Sequence, residues 1–357
     1  MSKIILHING FKCFVDDSLE LNKITLLTGA NASGKSSIIQ ALLLLKSASE
    51  CTPELPVVYL NDKKYAFDFG YPDTLINNES KDDKVSISIE SVGGMLFRGE
   101  KQPKERRLIV EVENSEQLKA CFANDFIYYC AERLGPRFEY LKNDVDIKTC
   151  GCHGENTGNV ISDNWFAKID GKRLKNPTEG DALFNIALDN WIDYIFPGIS
   201  VRIQQVGSQT YQVVIRDKAH NILTNATNIG FGISYALPIL TGALLAKPDS
   251  WLVVENPEAH LHAKAQSNMG YFLGVMAATG MRVLVETHSE HVVNGLRRAA
   301  MTSRMLKSED INIFFFQGKN ERCLITVDEK GNLSDFPIDF FDQARQDMLE
   351  IINFTRK

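Results

Sequence analysis

Gly29-Ala30-Asn31-Ala32-Ser33-Gly34-Lys35-Ser36 is the stretch on which the reading of this chain turns. It fits G-x-x-x-x-G-K-[ST] and lies in the context that gives the pattern meaning. Residues 23–28 form a short apolar run that reads as a strand ending at Gly29. Residues 35–47 carry apolar side chains around most of a helical circumference, so a buried helix is expected there. The glycines permit a tight turn, after which successive backbone N–H groups and the helix N-terminus face a phosphate. In such a loop Lys35 neutralises β- and γ-phosphate charge and Ser36 holds Mg²⁺. A plain glycine-rich turn would not explain a lysine opening a buried helix, so a mononucleotide site for ATP and Mg²⁺ is expected.

Downstream, from about residue 225, helices and strands alternate. Helices are expected over 233–245, 262–278, 290–300 and 340–354, and strands over 251–255, 282–286, 311–316 and 322–327. That alternation predicts an α/β fold with a mostly parallel sheet covered on both faces. The strand Trp251-Leu252-Val253-Val254 ends in Glu255, placed to bind Mg²⁺ through water. The next residue, Asn256, is an amide that orients water but accepts no proton. Glu258 is a candidate base two residues on, and a solvated helix-entry acid is the equal alternative. Asn228-Ile229-Gly230-Phe231-Gly232-Ile233-Ser234-Tyr235 opens a helix about 20 residues before Glu255, and His288 ends the next strand, within reach of a γ-phosphate.

Composition narrows the classes. The chain has 357 residues, 44% hydrophobic and 24% charged, which excludes disordered, collagenous and disulfide-framework proteins. With 39 basic and 45 acidic residues the net charge is −6, so nothing global attracts nucleic acid or an anionic membrane, although a local basic patch stays open. No run approaches the ~20 apolar residues that span a bilayer. No signal-peptide region opens the chain, and the seven scattered cysteines read as reduced thiols, so a cytoplasmic protein is expected.

Residues 51–224 are less regular. Strands are expected over 84–90, 95–98, 107–112 and 126–129, a helix over 181–196, and a hairpin from 201–205 and 211–216. At the front, strands over 3–8 and 11–15 flank a turn at Asn9-Gly10. The expected organisation is an ATPase head from 1–50 and 225–357, with 51–224 an α+β insert or lobe that partly joins the head.

The order phosphate loop, Gly-Ser signature, acidic strand, histidine resembles the ATP-binding-cassette (ABC) class of P-loop ATPases. Further segments resemble its SMC/RecF/OLD branch of AAA-15/AAA-21 type. They are Ile8-Asn9-Gly10-Phe11-Lys12-Cys13-Phe14 and Glu255-Asn256-Pro257-Glu258-Ala259-His260-Leu261-His262. Glu132-Arg133, Pro136-Arg137 and Asp339-Phe340-Phe341-Asp342-Gln343 resemble segments of a small stand-alone bacterial subgroup. The resemblance implies a P-loop NTPase of ABC type with a mixed sheet. Two heads would sandwich ATP, with Gly29, Asn31, Ser33, Gly34, Lys35, Ser36 and Ser37 binding ATP·Mg²⁺ in cis. Gly230, Gly232 and Ser234 would meet the γ-phosphate in trans, with Ser36 and Glu255 at the metal and Glu255, Asn256, Glu258 and His288 at the reaction. His262 stands where transporter relatives face the partner head, or simply starts a helix.

The same resemblance implies a homodimer or higher even-numbered assembly. A nearby-encoded effector protein or bound DNA or RNA would be its partner, with no membrane, plausibly in bacterial anti-phage defence or genome maintenance. The 69 residues after His288 leave no room for the TOPRIM nuclease of OLD proteins, and no heptads predict SMC arms. Three readings follow: a switching ATPase, a nucleotide-locked scaffold favoured by Asn256 and opposed by Glu258 and Glu286, or a transporter subunit. Arg133 and Arg137 read as surface or ion-pair residues, or else as phosphate or nucleic-acid contacts. Cys150-Gly151-Cys152-His153 lacks the usual C-x₂-C zinc spacing and reads as a loop with free thiols, and Cys121 and Cys130 as core.

Overall fold

Runs of four or five apolar residues build the central sheet of the computed structural model, because both faces of that sheet are covered. The structure describes residues 3–355 except 67, 81–82, 103, 143–147, 208–209, 226, 228–229, 303–305 and 319–320. The strands are β1 (Ile24–Gly29), β2 (Phe126–Tyr129), β3 (Trp251–Glu255), β4 (Arg282–Glu286), β5 (Ile311–Gly318) and β6 (Glu321–Ile325). Their spatial order is β6-β5-β1-β4-β3-β2; every neighbouring pair is parallel except β5 with β6. This is the mixed α/β sheet expected.

Alternate residues of each strand enter different cores. Leu252, Val254, Val283, Val285, Ile311 and Ile313 pack toward α2 (Phe184–Ile195), α3 (Phe231–Leu245), α4 (Ala263–Ala278) and α5 (Glu290–Thr302). Trp251, Val253, Leu284, Phe314 and Phe316 pack on the other face with α1 (Lys35–Ser49). That second layer is closed by a five-stranded antiparallel sheet in the order Phe14–Leu21, Ile4–Phe11, Lys84–Ile89, Gly93–Arg98, Glu111–Glu113. The 51–224 stretch thus contributes strands to both sheets, including the edge strand β2.

Several boundaries differ from expectation. The front hairpin does not turn at Asn9-Gly10: its strand runs to Phe11, which pairs with Phe14 across Lys12 (φ 50°). Gly10 serves instead a close approach, since a Cβ there would lie 2.2 Å from the Lys84 carbonyl oxygen. Residues 181–183 form a short strand paired with Lys168–Asp170 rather than the first turn of α2. The last helix, α6 (Gln343–Thr355), starts three residues later than expected, because Asp339 (φ 67°) and Phe341 (φ 57°) hold the left-handed conformation and break helical geometry. Among the described residues, no helix is long and apolar enough to cross a membrane.

Candidate nucleotide site

The carboxyl ends of β1, β4 and β3 lie side by side, and the sequence puts its polar residues there: Gly29, Glu286 and Glu255. Open α/β sheets bind ligands at this edge. Between β1 and α1 the loop adopts the curled backbone of an anion nest, with Gly29 at φ 120°, Ala32 at 58° and Gly34 at 107°. Only glycine fits at position 29, where a Cβ would lie 2.1 Å from the Phe316 carbonyl oxygen. At position 34 a Cβ would meet Cys13 Sγ at 2.9 Å. Lys35 folds back into the loop, its Nζ donating to the carbonyl oxygens of Gly29 (3.0 Å) and Ala30 (2.5 Å). Burial holds its pKa below the usual lysine value, opposed by the nearby Glu286. Ser33 Oγ donates to the Ala30 carbonyl (2.8 Å), and Asn31 stands exposed at the tip. Ser37 N–H bonds the Gly34 carbonyl at 3.0 Å in the first helical turn.

Three acids surround this loop and are held differently. Glu255 accepts from the Tyr128 hydroxyl at Oε1 (2.9 Å) and from the Ala131 N–H at Oε2 (3.2 Å). Burial pushes its carboxyl up, and those two donors with Arg133 oppose the rise. Glu286 is its register partner on β4, only 7% exposed, and accepts from Ser36 Oγ at 3.1 Å. Burial, and then the neighbouring Glu255, push the Glu286 carboxyl up to about 7. Glu258 faces elsewhere: its Oε2 accepts from Thr287 Oγ1 and its Oε1 from the His288 N–H, both at 2.7 Å. It therefore sets the histidine loop, with each oxygen already engaged.

Asn256 takes the left-handed conformation (φ 45°), its N–H bonded to the Glu286 carbonyl at 2.8 Å and its buried Oδ1 without a partner among the described residues. His288 projects from β4's end into a cavity of about 460 Å³ shared with Thr28, Gly29, Ala30, Asp339 and Asp342. Burial, and then Lys35, hold its imidazole pKa below the usual histidine value. On the other side of the loop, Ser36 and Glu255 line a cleft of about 790 Å³ with Tyr128 and Glu132. Phosphate loop, Ser36, Glu255 and His288 are thus brought together at one sheet edge.

The signature opens α3 instead. Asn228 and Ile229 lie outside the described residues. Gly230 precedes the helix at φ 99° with open space where a Cβ would be, and Gly232 packs so that a Cβ would lie 2.8 Å from the His260 carbonyl. Phe231 packs tilted and Tyr235 edge-on against the His260 ring, with centroids 5.1 and 4.6 Å away, so the signature rests on the loop that follows Glu255. Ser234 is half-buried and His262 exposed.

Arg133 departs from both of its sequence readings. It is 3% exposed, and its guanidinium donates to the carbonyls of Cys130 (2.8 Å), Glu255 (2.6 Å) and Asn256 (2.7 Å). It ties the end of β2 to the end of β3, stacked over Tyr235 at 5.3 Å. Arg137 is exposed. Sequence reasoning missed this clamp because an arginine is usually at the surface and nothing local marks a buried one. It also gave Glu286 no place at the metal, although 282–286 repeats the apolar-run-then-Glu pattern of 251–255. All seven cysteines are free, and among the described residues no three His, Cys, Asp or Glu side chains converge to hold a metal. Cys130 is buried as expected, its Sγ 3.1 Å from His153 Nδ1, while Cys121 is only partly so.

Comparison with known proteins agrees with the fold. Residues 3–131 match the family model of an AAA ATPase domain. Residues 154–294 match an AAA domain described as a putative AbiEii toxin of a type IV TA system. Residues 306–351 match a protein family of unknown function, DUF3696. The chain is similar to the Smc head domain with an extended coiled coil bound to the C-terminal domain of ScpA, derived from Pyrococcus furiosus. That match has a TM-score of 0.53 and 11% identity and covers 99% of each chain. It is also similar to an SmcHead bound to the C-winged helix domain of ScpA (TM-score 0.50, 12% identity, 92% of this chain and 98% of that one). No curated protein matches in sequence.

Fold and site define the class, that of P-loop ATPases with the SMC-head fold. Two separate segments of the chain, 3–131 and 154–294, match AAA-type ATPase domain models, on a fold similar to that of SMC heads.

Proposed function

We propose that this protein is an ATP-hydrolysing switch whose two copies pair head to head around nucleotide. The observation that carries nucleotide binding is Lys35: an ammonium folded onto two loop carbonyls in a nest of backbone N–H groups is a phosphate site poised for an anion. Hydroxyl and carboxylate oxygens at Ser36 and Glu255 suit Mg²⁺, which would neutralise charge on the transferred phosphoryl group. Lys35 and the N-terminus of α1 hold the phosphates, and His288 reads the γ-phosphate from the adjoining cavity. Glu255 orients the ion's water shell. Pairing is supported by Gly230, which faces open space where the chain enters α3, four residues before the half-buried Ser234.

Asn256 cannot take a proton, so turnover is slow or waits on a partner. That residue also favours the second reading, a scaffold locked by ATP with negligible hydrolysis. The partner would be an effector protein, with DNA or RNA the alternative, and the protein would act in the cytoplasm. The toxin–antitoxin wording attached to the family matched by 154–294 supports a role in anti-phage defence.

The test is ATP turnover with Mg²⁺ by wild type and Lys35→Ala. Wild-type turnover that falls about 100-fold or more in the variant is expected. Equal ATP binding by the two would remove the phosphate-loop assignment, and wild-type binding without turnover would favour the scaffold.

A further inference from the structure

Three acids lie near the phosphate loop, and their hydrogen bonds sort them. Glu258 has both oxygens taken by Thr287 and His288. Glu255 has both taken by Tyr128 and Ala131. Glu286 accepts only from Ser36 Oγ, and its Oε2 is buried without a partner among the described residues. It is 93% removed from solvent and sits beside a second carboxylate on the adjacent strand, where a bare oxygen is costly unless a proton or a cation joins it. Ser36 is the hydroxyl that a phosphate loop gives to its magnesium ion. The acid bonded to that hydroxyl is therefore closer to the ion than one at a neighbouring strand end. Hydroxyl and carboxylate oxygens form a hard donor set that suits Mg²⁺ and not a softer metal.

We propose that Glu286 is a metal-site carboxylate of this protein. Through Ser36 it fixes the ion's serine ligand, and with its free oxygen it binds the ion's water shell beside Glu255. The inference rests on the ATP·Mg²⁺ reading above and deepens it. It assigns to β4 a share of the metal site that the sequence places on β3 alone. It also explains why β4 ends in a buried acid with one unused oxygen.

The experiment measures nucleotide binding, not turnover. A fluorescent ATP analogue is titrated into wild type, Glu286→Gln and Glu286→Asp, each with excess Mg²⁺ and each with EDTA. Mn²⁺ uptake in the presence of ATP is followed in parallel by the loss of the free-ion electron paramagnetic resonance signal. Glu286→Gln keeps the side chain's shape and its acceptor for Ser36, and equal affinity in EDTA reports an intact loop. The expected result is that the gain in affinity from Mg²⁺ shrinks at least about tenfold in Glu286→Gln, that Mn²⁺ uptake weakens with it, and that Glu286→Asp falls between. A wild-type Mg²⁺ gain and Mn²⁺ uptake in Glu286→Gln would overturn the proposal while leaving the ATP reading intact. Wild type that binds the analogue no better than Lys35→Ala would overturn both.

Discussion

Arg133 shows how one buried side chain orders a site without touching a ligand. Its three bonds run to main-chain carbonyls at the ends of two strands, and two of those carbonyls belong to Glu255 and Asn256. A planar guanidinium reaches three acceptors at once, while an ammonium on a flexible stem does not reproduce that fork. Arg133→Met is expected to lower unfolding free energy by at least about 3 kcal/mol, because three buried acceptors lose their donor. Arg133→Lys is expected to recover only part of that loss. Urea unfolding followed by circular dichroism measures both, and a loss under about 1 kcal/mol would show that the clamp holds nothing. The site's residue types were legible: Lys35 and Ser36 close a glycine-bounded loop that follows an apolar strand, and Glu255 and His288 come at or just past the end of an apolar run. Arg133 was not, since its function depends on three carbonyls of which two lie more than 120 positions away in sequence.

At the level of elements, α4 and α5 are held close by glycine. A Cβ at Gly270 would lie 2.1 Å from the Val292 carbonyl oxygen, and one at Gly295 would lie 1.9 Å from that of Ser267. Both obstacles are backbone, so an alanine must push the helices apart rather than displace a side chain. Gly295→Ala is expected to cost about 1–3 kcal/mol of stability despite its better helix propensity. Stabilisation in a thermal or urea melt would refute that packing argument. A second buried arginine works on α3. Arg173 donates from one guanidinium nitrogen to the carbonyls of Ala243 (3.2 Å) and Leu244 (3.1 Å), two of the helix's last orphan acceptors, and to that of the cap residue Ala246, while its own carbonyl takes the Trp191 indole N–H at 2.8 Å. The helix whose first turn carries the signature is thus capped at its other end from the 51–224 stretch. Sequence periodicity located α3 and α4 to within two residues at their starts, but not the caps that come from distant chain.

On the scale of the whole molecule, the sheet separates two cores: α1, which follows the phosphate loop, packs in one, and α3, which opens with the signature, packs in the other. The signature's link to the site is indirect, through His260 and Arg133. In the proposed head-to-head pairing, a second copy completes it. Ser234→Arg, which fills the open start of α3, is expected to abolish ATP-dependent pairing in light scattering while leaving analogue binding by the single copy within about threefold of wild type. Unchanged pairing would show that copies do not meet at this helix. The C-terminal stretch joins the same region, because Asp339 and Asp342 wall the cavity of His288.

The class of fold and the place of the loop were readable along the chain, because strands buried on both faces are continuous apolar runs and a phosphate nest needs its glycines and lysine in one local order. So were Glu255 and His288 at strand ends, a local property of where an apolar run stops. Which acid serves which group follows from three-dimensional packing alone. Glu255, Glu258 and Glu286 look alike in sequence, yet one meets Tyr128, one the histidine loop and one Ser36. Those differences arise from strand order and side-chain reach, which bring residues 36, 128 and 286 to one edge, and no local pattern of residues encodes that meeting.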